Sequence, residues 1–482
     1  MNSQPAHLSR KRNLIVFLTD QQRADTMACY GNTKVHAPNL NKLASESVVF
    51  DRTYVTQPVC SPSRASLMTG LWPHTTGCTS NGSILGPRFR VFPELIPNRD
   101  YRTAYMGKWH LGSAQRGFEE WISTQHASDY SQFLISKGLT PDREGEFSEL
   151  AMSNVPFELS QSKFLERHAC EFIKKHQRDP FILFVAFVEP HPPYNGPLNE
   201  EHTVSEVDVD PATVVPLSDE VPLRYRLMHE WQQNKALTDT SGKRRRCYFG
   251  VTEDDSRSLR QKYLGLVTLV DQSIGGILEC LERAELSEQT VVVHTSDHGD
   301  TLGAHELFGK EVMFEEAVRV PYLVRLPGHR HGRIAQAVSH IDFVPTLIDL
   351  LAEPKASQCA GKSLLPLMRG EAMPAGSVFM EWSPNKYASS VGRKIKKGTT
   401  LAPLRMINQA LEESTRTVIM PDGWKLSLRD RDLNELYNLN DDPREAHNCY
   451  YSGQCAEIIS RCADEILRWQ ESSRDQLKLS YK

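Results

Sequence analysis

"NLIVFLTD", Asn13 to Asp20, holds an unbroken apolar run, Leu14 to Leu18, that stops abruptly at Thr19 and Asp20. A strand with one wet face alternates apolar and polar residues. A continuous run bounded by polar residues instead suits a strand buried on both faces, as in a parallel sheet covered by helices. Three further stretches have the same shape: "TAYMGKWH" (Thr103–His110), "FILFVAFVEPH" (Phe181–His191) and "TVVVHTSDH" (Thr290–His298). Helical spacing falls between them, at Leu40–Ser47, at Leu67–Thr69 and, over the longest reach, at Tyr263–Ala284. Strands alternating with helices predict an α/β fold, and in such sheets ligands gather beyond the carboxyl ends of the strands. Each of these runs ends in residues that can do chemistry.

The chain has 482 residues, 39% of them hydrophobic, enough for one large unit and a smaller one. Its net charge of -4 supplies no general field toward nucleic acid or an anionic membrane. Ten cysteines without regular spacing argue against a disulfide framework and against paired CxxC zinc motifs, so reduced thiols are expected. No stretch reads as a transmembrane span, and "LIVFL" behind the basic "SRKR" is too short for a signal sequence. The expected setting is the cytoplasm, or the periplasm or exterior if a leader has been removed. The polar, aperiodic segment Asn195–Asp255 predicts a lid or specificity insertion within a catalytic unit spanning 1–370. From 371 to 482, "GSVFMEW", "TRTVIM" and "WKLSLRD" resemble short antiparallel strands and Ala456–Trp469 has helical spacing, which predicts a C-terminal α+β subdomain.

Asp20, Asp297 and His298 stand at strand ends, and two carboxylates with an imidazole suit a divalent cation; Gln21 can add a carbonyl oxygen. Asp300 reads as a turn residue. Lys108 and His110 alternate around Trp109 and can face one pocket, while prolines fix the backbone at His191. Lys310, in "FGKEVMFEEAVRVP", lies close enough in sequence to Asp297 and His298 to return to the same place. In "VCSPSRASLMTG", Val59 to Gly70, Ser61 can cap a helix with Pro62 at its first position and Gly70 at its end. Cys60 then lies at the positive mouth of the helix with Arg64 one turn in. That setting favours a reactive thiolate, the plainer reading being a small core residue. Together Arg64, Lys108, His110, His191, Lys310 and a metal make a pocket for a small tetrahedral oxyanion.

"CSPSRASLMTG" and "GKWHLG" resemble the two signature motifs of the sulfatases. The likeness continues through "TDQQRAD", "HAPNLNKLA", "SDHGDTLGAHELFGK", "RVPYLVRLPG", "IDFVPTLIDL" and "NELYNLNDDPREAHN". It implies a formylglycine-dependent type I sulfatase of the alkaline phosphatase superfamily, with a large mixed, mostly parallel sheet between helices. By the same likeness a formylglycine-generating maturation enzyme converts Cys60, whose hydrated gem-diol is the nucleophile. Asp20, Gln21, Asp297 and His298 would bind calcium together with residue 60, manganese or magnesium being the other choices. Arg64 would support the hydrate, Lys108, His191 and Lys310 would grip the sulfate, and His110 would act as base. The implied substrate is a sulfated carbohydrate or aryl ester. Many sulfatases carry two adjacent aspartates where this chain has Asp20–Gln21, which keeps a phosphonate or phosphate ester hydrolase as the alternative. A non-catalytic glycan-binding relative would have lost Cys60, Arg64 or the metal residues, and none is lost. Lys243–Arg246, in "SGKRRRCYF", is either a border for polyanionic glycans or a solvated basic run. Nothing in the sequence sets the oligomeric state.

Overall fold

Every residue of strand β1 (Asn13–Thr19) is buried, as its unbroken apolar run requires. The protein is described by a computed structural model over residues 11–112, 115–125, 128–144, 146–205, 207, 217–238, 253–329, 331–384 and 399–481. After β1 come β2 (Val48–Tyr54), β3 (Arg102–Gly107), β4 (Glu120–Ser123), β5 (Phe181–Ala186), β6 (Thr290–Ser296), β7 (Arg319–Val320), β8 (Tyr322–Arg325) and β9 (Gly332–Ser339). They build a nine-stranded sheet in the order β4-β3-β5-β1-β6-β8-β2-β7, with β9 paired to β2. From β4 to β6 all pairings are parallel; β8, β2 and β7 continue antiparallel. The runs read from the sequence are β1, β3, β5 and β6, which are neighbours. The strands not foreseen are β2, interrupted by Asp51 and Arg52, and the short or edge strands β4, β7, β8 and β9.

Side chains of a strand alternate between faces. Ile15 and Phe17 pack under one helical layer, and Leu14, Val16 and Leu18 under the other. The helices that matter for the site are α1 (Pro38–Ser45), α2 (Cys60–Thr69), α3 (Gln161–Lys175), α4 (Leu223–Thr238), α5 (Glu253–Arg283), α6 (Leu404–Leu411) and α7 (Ala456–Ser473). A second sheet, β10 (Val378–Trp382), β11 (Thr415–Ile419), β12 (Trp424–Arg429) and β13 (Glu435–Asn438), is antiparallel throughout and carries α7 on one face.

Three expectations need correction. The first concerns the aperiodic segment, which contains α4. Val221, Tyr225 and Met228 pack on Leu307, Val312 and Phe314, while Leu223, Leu227 and Trp231 pack on Ile407 and Ala410 of α6. With apolar residues on two opposite sides, α4 has no single stripe to betray it. Lys243–Arg246 lies outside the described residues. Secondly, by length and composition the Ser256–Arg283 part of α5 could cross a membrane, yet here it is mostly buried, packed against α1 and α3 in the core. Thirdly, the thiols are not all reduced: Cys170 of α3 and Cys280 of α5 form a disulfide across 110 residues of sequence. Neither cysteine sits in a spacing motif; helix packing alone brings them together.

Closing a loop of that length stabilises a fold by roughly 4 to 5 kcal/mol on the loop-entropy account. Thiol titration of the denatured chain is expected to find two more thiols after reduction than before. Equal counts would show that the bond does not form.

Candidate active site

The registers Gly107↔Ala186, Leu18↔Ala186 and Thr19↔Ser296 bring the carboxyl ends of β3, β5, β1 and β6 level. Residues just past those ends therefore meet. Gly107 is needed for this closeness: at φ +112°, a Cβ there would lie 1.9 Å from the Ala186 carbonyl oxygen. Lys108 follows it, and its backbone N–H donates to that same oxygen at 2.9 Å.

Helix α2 brings Cys60 and Arg64. It begins at Cys60, with Val59 as an extended cap residue lacking a side-chain bond, so Ser61 is not the N-cap. The Ser61 hydroxyl donates to the His110 carbonyl at 2.8 Å and its N–H to Asn81 Oδ1 at 3.0 Å. With both groups engaged elsewhere, the helix starts two residues earlier than its Ser-Pro pair suggests. Gly70 does end it, at φ +68°. Cys60 keeps its place in the first turn, where backbone N–H groups favour negative charge.

Arg64 is 1% exposed and ties the strand ends together. Its Nε donates to Asp297 Oδ2 at 2.7 Å, one terminal nitrogen to Asp20 Oδ2 at 3.0 Å and the other to the Lys108 carbonyl at 2.6 Å. Around Cys60 Sγ stand Lys310 Nζ at 3.1 Å, His298 Nε2 at 3.3 Å, and Lys108 Nζ and Asp20 Oδ1 at 3.8 Å each. Burial, the largest influence, and Asp20 push the thiol pKa up. Lys108, Lys310 and His298 outweigh them, so it lies well below the ordinary thiol range. Burial likewise opposes the Asp20 carboxylate. Lys108, at 2.5 Å, followed by His191, Lys310 and Arg64, nevertheless holds its pKa well below the usual value.

Gln21 sits at φ +71°, a strained backbone for a residue with a Cβ. Its N–H donates to Asp297 Oδ1 at 3.1 Å and its carbonyl accepts from Tyr263 of α5 at 2.7 Å. The side-chain amide is oriented as well. Nε2 donates to Asp300 Oδ2 at 2.6 Å, leaving Oε1 to accept from Lys310 Nζ at 2.7 Å. Asp300 is thus more than a turn residue. Its Oδ1 accepts from the N–H groups of Leu302 and Gly309 at 2.8 Å each, and Tyr194 donates to Oδ2. Its burial was invisible in "DHGD". Tyr263 could be foreseen only as a core position of its helix.

His191 Nδ1 donates to the Pro192 carbonyl at 2.6 Å, so Nε2 carries the lone pair. Burial and then Lys108 and Lys310 push its pKa down to about 3. It lines a cavity of about 670 Å³ together with Lys108, Gln125, Glu146, Phe147 and Asn195. His110 has φ +61° and its Nδ1 is buried without a hydrogen-bond partner among the described residues. Its backbone N–H is held by Gln125 Oε1 at 3.1 Å. The structure therefore gathers Asp20, Gln21, Cys60, Arg64, Lys108, His191, Asp297, His298 and Lys310 at one sheet edge. His110 adjoins through its backbone.

Asp20, Cys60, Asp297 and His298 offer ligand atoms that all lie within 4.8 Å of one another, and all four residues are buried. His298 Nδ1 donates to the Gly299 carbonyl at 2.9 Å, which points Nε2 toward the carboxylates. Burial, the largest influence, lowers the pKa of the ring, but Asp297 and Cys60 raise it above the ordinary value, so a metal would take the place of the Nε2 proton. Two carboxylates and a neutral imidazole in one buried cluster fit a divalent cation.

The family described as Sulfatase matches residues 12–353. The chain belongs to the sulfatase family. It is an enzyme, a sulfuric ester hydrolase, of a family that uses a metal ion. The N-acetylglucosamine-6-O-sulfatase of Bacteroides thetaiotaomicron is 25% identical over 525 aligned positions, covering 98% of this chain and 87% of the relative. The multifunctional alkaline phosphatase superfamily protein PehA of Trinickia caryophylli is also 25% identical, with 98% of each chain covered. Among solved structures, the phosphonate monoester hydrolase of Agrobacterium radiobacter superposes with a TM-score of 0.77 at 22% identity, covering 96% of each chain. A structure in complex with its substrate D-glucosamine-2-N,6-O-disulfate gives 0.75 at 23% identity, covering 97% of this chain and 99% of that one. These two likenesses establish the alkaline-phosphatase-like fold.

Replacing Arg64 by methionine in this sulfatase leaves Asp20 and Asp297 buried without their shared cation. Urea unfolding of the metal-free protein is expected to show a loss of about 3 to 5 kcal/mol. A divalent cation is expected to raise the melting temperature of the wild type, and a chelator to reverse the rise, because the folded chain alone presents the cluster.

Proposed function

We propose that the chain removes sulfate from a sulfated carbohydrate after a formylglycine-generating enzyme has converted Cys60 to formylglycine. The observation that carries this reading is Cys60 itself, at the mouth of α2 with two lysines and two metal-binding residues within 3.8 Å of its sulfur. An oxygen nucleophile at this place requires the maturation enzyme to oxidise the side chain, with an external oxidant, to the aldehyde, the Cβ–S bond breaking and the sulfur leaving. The hydrated aldehyde then supplies the nucleophile. Asp20, Asp297 and His298, with Gln21 Oε1 and residue 60, would hold the cation, with calcium favoured by the oxygen-rich donor set. A bound cation supplies Lewis-acid stabilisation of the sulfate oxygens and of the nucleophile.

The remaining roles belong to side chains. Lys108 and Lys310 bind the non-bridging sulfate oxygens, neutralising charge that grows in the transition state. Lys310, kept protonated by Cys60, Asp20 and Asp297 against the effect of burial, delivers the proton as the alcohol departs. His191, a neutral imidazole lining the cavity, offers its Nε2 lone pair as a hydrogen-bond acceptor to the substrate. Arg64 keeps residue 60 against the carboxylates. His110 takes a proton from residue 60 when sulfate is released. The cavity's size and its hydrogen-bonding walls, with Gln125, Glu146 and Asn195 beside apolar Phe147 and Leu266, suit a sugar better than a small alkyl alcohol. The relatives named for N-acetylglucosamine 6-sulfate and, in mouse, iduronate 2-sulfate support a carbohydrate.

A phosphate or phosphonate ester is the second reading, favoured by Gln21. One carboxylate fewer leaves the site more positive, which suits a doubly charged monoester. Matched 4-nitrophenyl sulfate, phosphate and phenylphosphonate esters separate the two. The sulfate is expected to have the highest kcat/KM, at least about tenfold above the others, with protein co-produced with a maturation enzyme. Mass spectrometry of the Cys60 peptide is expected to show the aldehyde, and Cys60→Ala to lose nearly all turnover. An active preparation with only unmodified cysteine at position 60 would refute the formylglycine assignment.

A further inference from the structure

Lys310 lies in a loop that has no regular structure of its own. Its neighbours Gly309 and Glu311 both have left-handed backbones, at φ +90° and +76°. Such a segment does not hold a long side chain in place by itself. It is held from outside, and much of the hold comes from α4.

Gln232 of α4 is 5% exposed and grips the backbone of Phe308 at two points. Its Nε2 donates to the Phe308 carbonyl at 2.8 Å, and its Oε1 accepts from the Phe308 N–H at 3.0 Å. Tyr225, fully buried two turns earlier on the same face, accepts from the Met313 N–H at 2.9 Å. Lys310 stands between these two fastened points. Between Gln232 and Tyr225, Met228 packs toward the same loop. The helix is anchored in turn to the C-terminal sheet. Asp432 accepts from the N–H groups of Leu223 and Arg224, each at 2.9 Å. Arg224 pairs with Glu413 at 2.7 Å, and Arg429 donates to the Tyr225 hydroxyl at 2.9 Å.

We propose that Gln232 and Tyr225 are positioning residues for Lys310, and that α4 is a strut by which the C-terminal sheet sets the place of that lysine in the active site. The inference rests on the assignment of Lys310 to the sulfate. It gives the segment read as a specificity insertion a different task. A group that must meet a sulfate oxygen at hydrogen-bond distance loses much of its effect when it moves by an ångström.

The test is a double-mutant cycle with a crystal structure. Gln232→Leu is made in the wild type and in Lys310→Ala, and kcat/KM is measured on 4-nitrophenyl sulfate. If Gln232 acts through Lys310, its loss costs about 10- to 100-fold in the first background and less than about twofold in the second. Equal losses in both backgrounds, or none in the first, overturn the proposal. Gln232→Glu, which keeps the acceptor and removes the donor, and Tyr225→Phe serve if the leucine variant does not fold. The crystal structure of the folded variant decides independently of turnover. Movement of Lys310 Nζ away from residue 60 and Gln21 supports the strut. An unmoved Lys310 shows that Asp300, on the Gly309 N–H, and the Pro58 carbonyl, which accepts from the Glu311 N–H at 3.1 Å, suffice, and overturns it. A wild type inactive on every sulfate ester counts against the sulfatase reading alone, and the crystallographic outcome still stands.

Discussion

The guanidinium of Arg64 is the constraint on which the rest depends. Asp20 and Asp297 come from the ends of neighbouring parallel strands, and without a cation between them their charges repel in a place where water cannot screen them. Arg64 bonds both and adds the Lys108 carbonyl, so that one rigid fork fixes β1, β6, the end of β3 and the start of α2. The position of Cys60 follows from it. A thiol one turn before that fork can only lie over the two carboxylates, and Lys108 and Lys310 approach because the carboxylates attract them.

Around that centre the structure arranges support in a second ring. Asp300 is the hub on one side, holding Gln21, Tyr194 and the backbone of Gly309. On the other side Lys425, buried with Glu315 and Glu445, binds the C-terminal sheet to the segment following Lys310, while Arg429 with Glu435 ties β12 to β13 within that sheet. Buried pairs of this kind contribute little net stability but are costly to break singly. They therefore serve to fix geometry, and the small sheet holds the segment that follows Lys310.

The sequence spoke clearly where one physical pattern dominated. Strands β1, β3, β5 and β6 are buried on both faces, so their apolar runs are unbroken, and the residues at their ends could be named. Strand β2 was hidden because Asp51 and Arg52 sit where it bends, and α4 because its apolar residues serve two partners on opposite sides. Ser61 misled because its hydroxyl goes to His110, a contact between residues far apart in the chain. Cys170 and Cys280 gave no signal for the same reason. Asp300 looked like a turn former and is one, but its second oxygen has a task that only burial reveals.

The depth of Cys60 has a consequence for the order of events in the cell. The residue is 1% exposed, begins a helix, and is roofed by two lysines. Cys60, Pro62 and Arg64 are all buried once β1, β6 and α2 have closed, so the maturation enzyme of the proposed function would not reach them in the folded chain. The proposed conversion of Cys60 thus has a deadline: it would have to be finished while the nascent chain is still extended. On that reading, chain that folds too soon would keep its thiol and lack the nucleophile. Slow closure of a long-range parallel sheet is usually counted a liability, yet for the proposed conversion it would be the interval in which residue 60 can be modified.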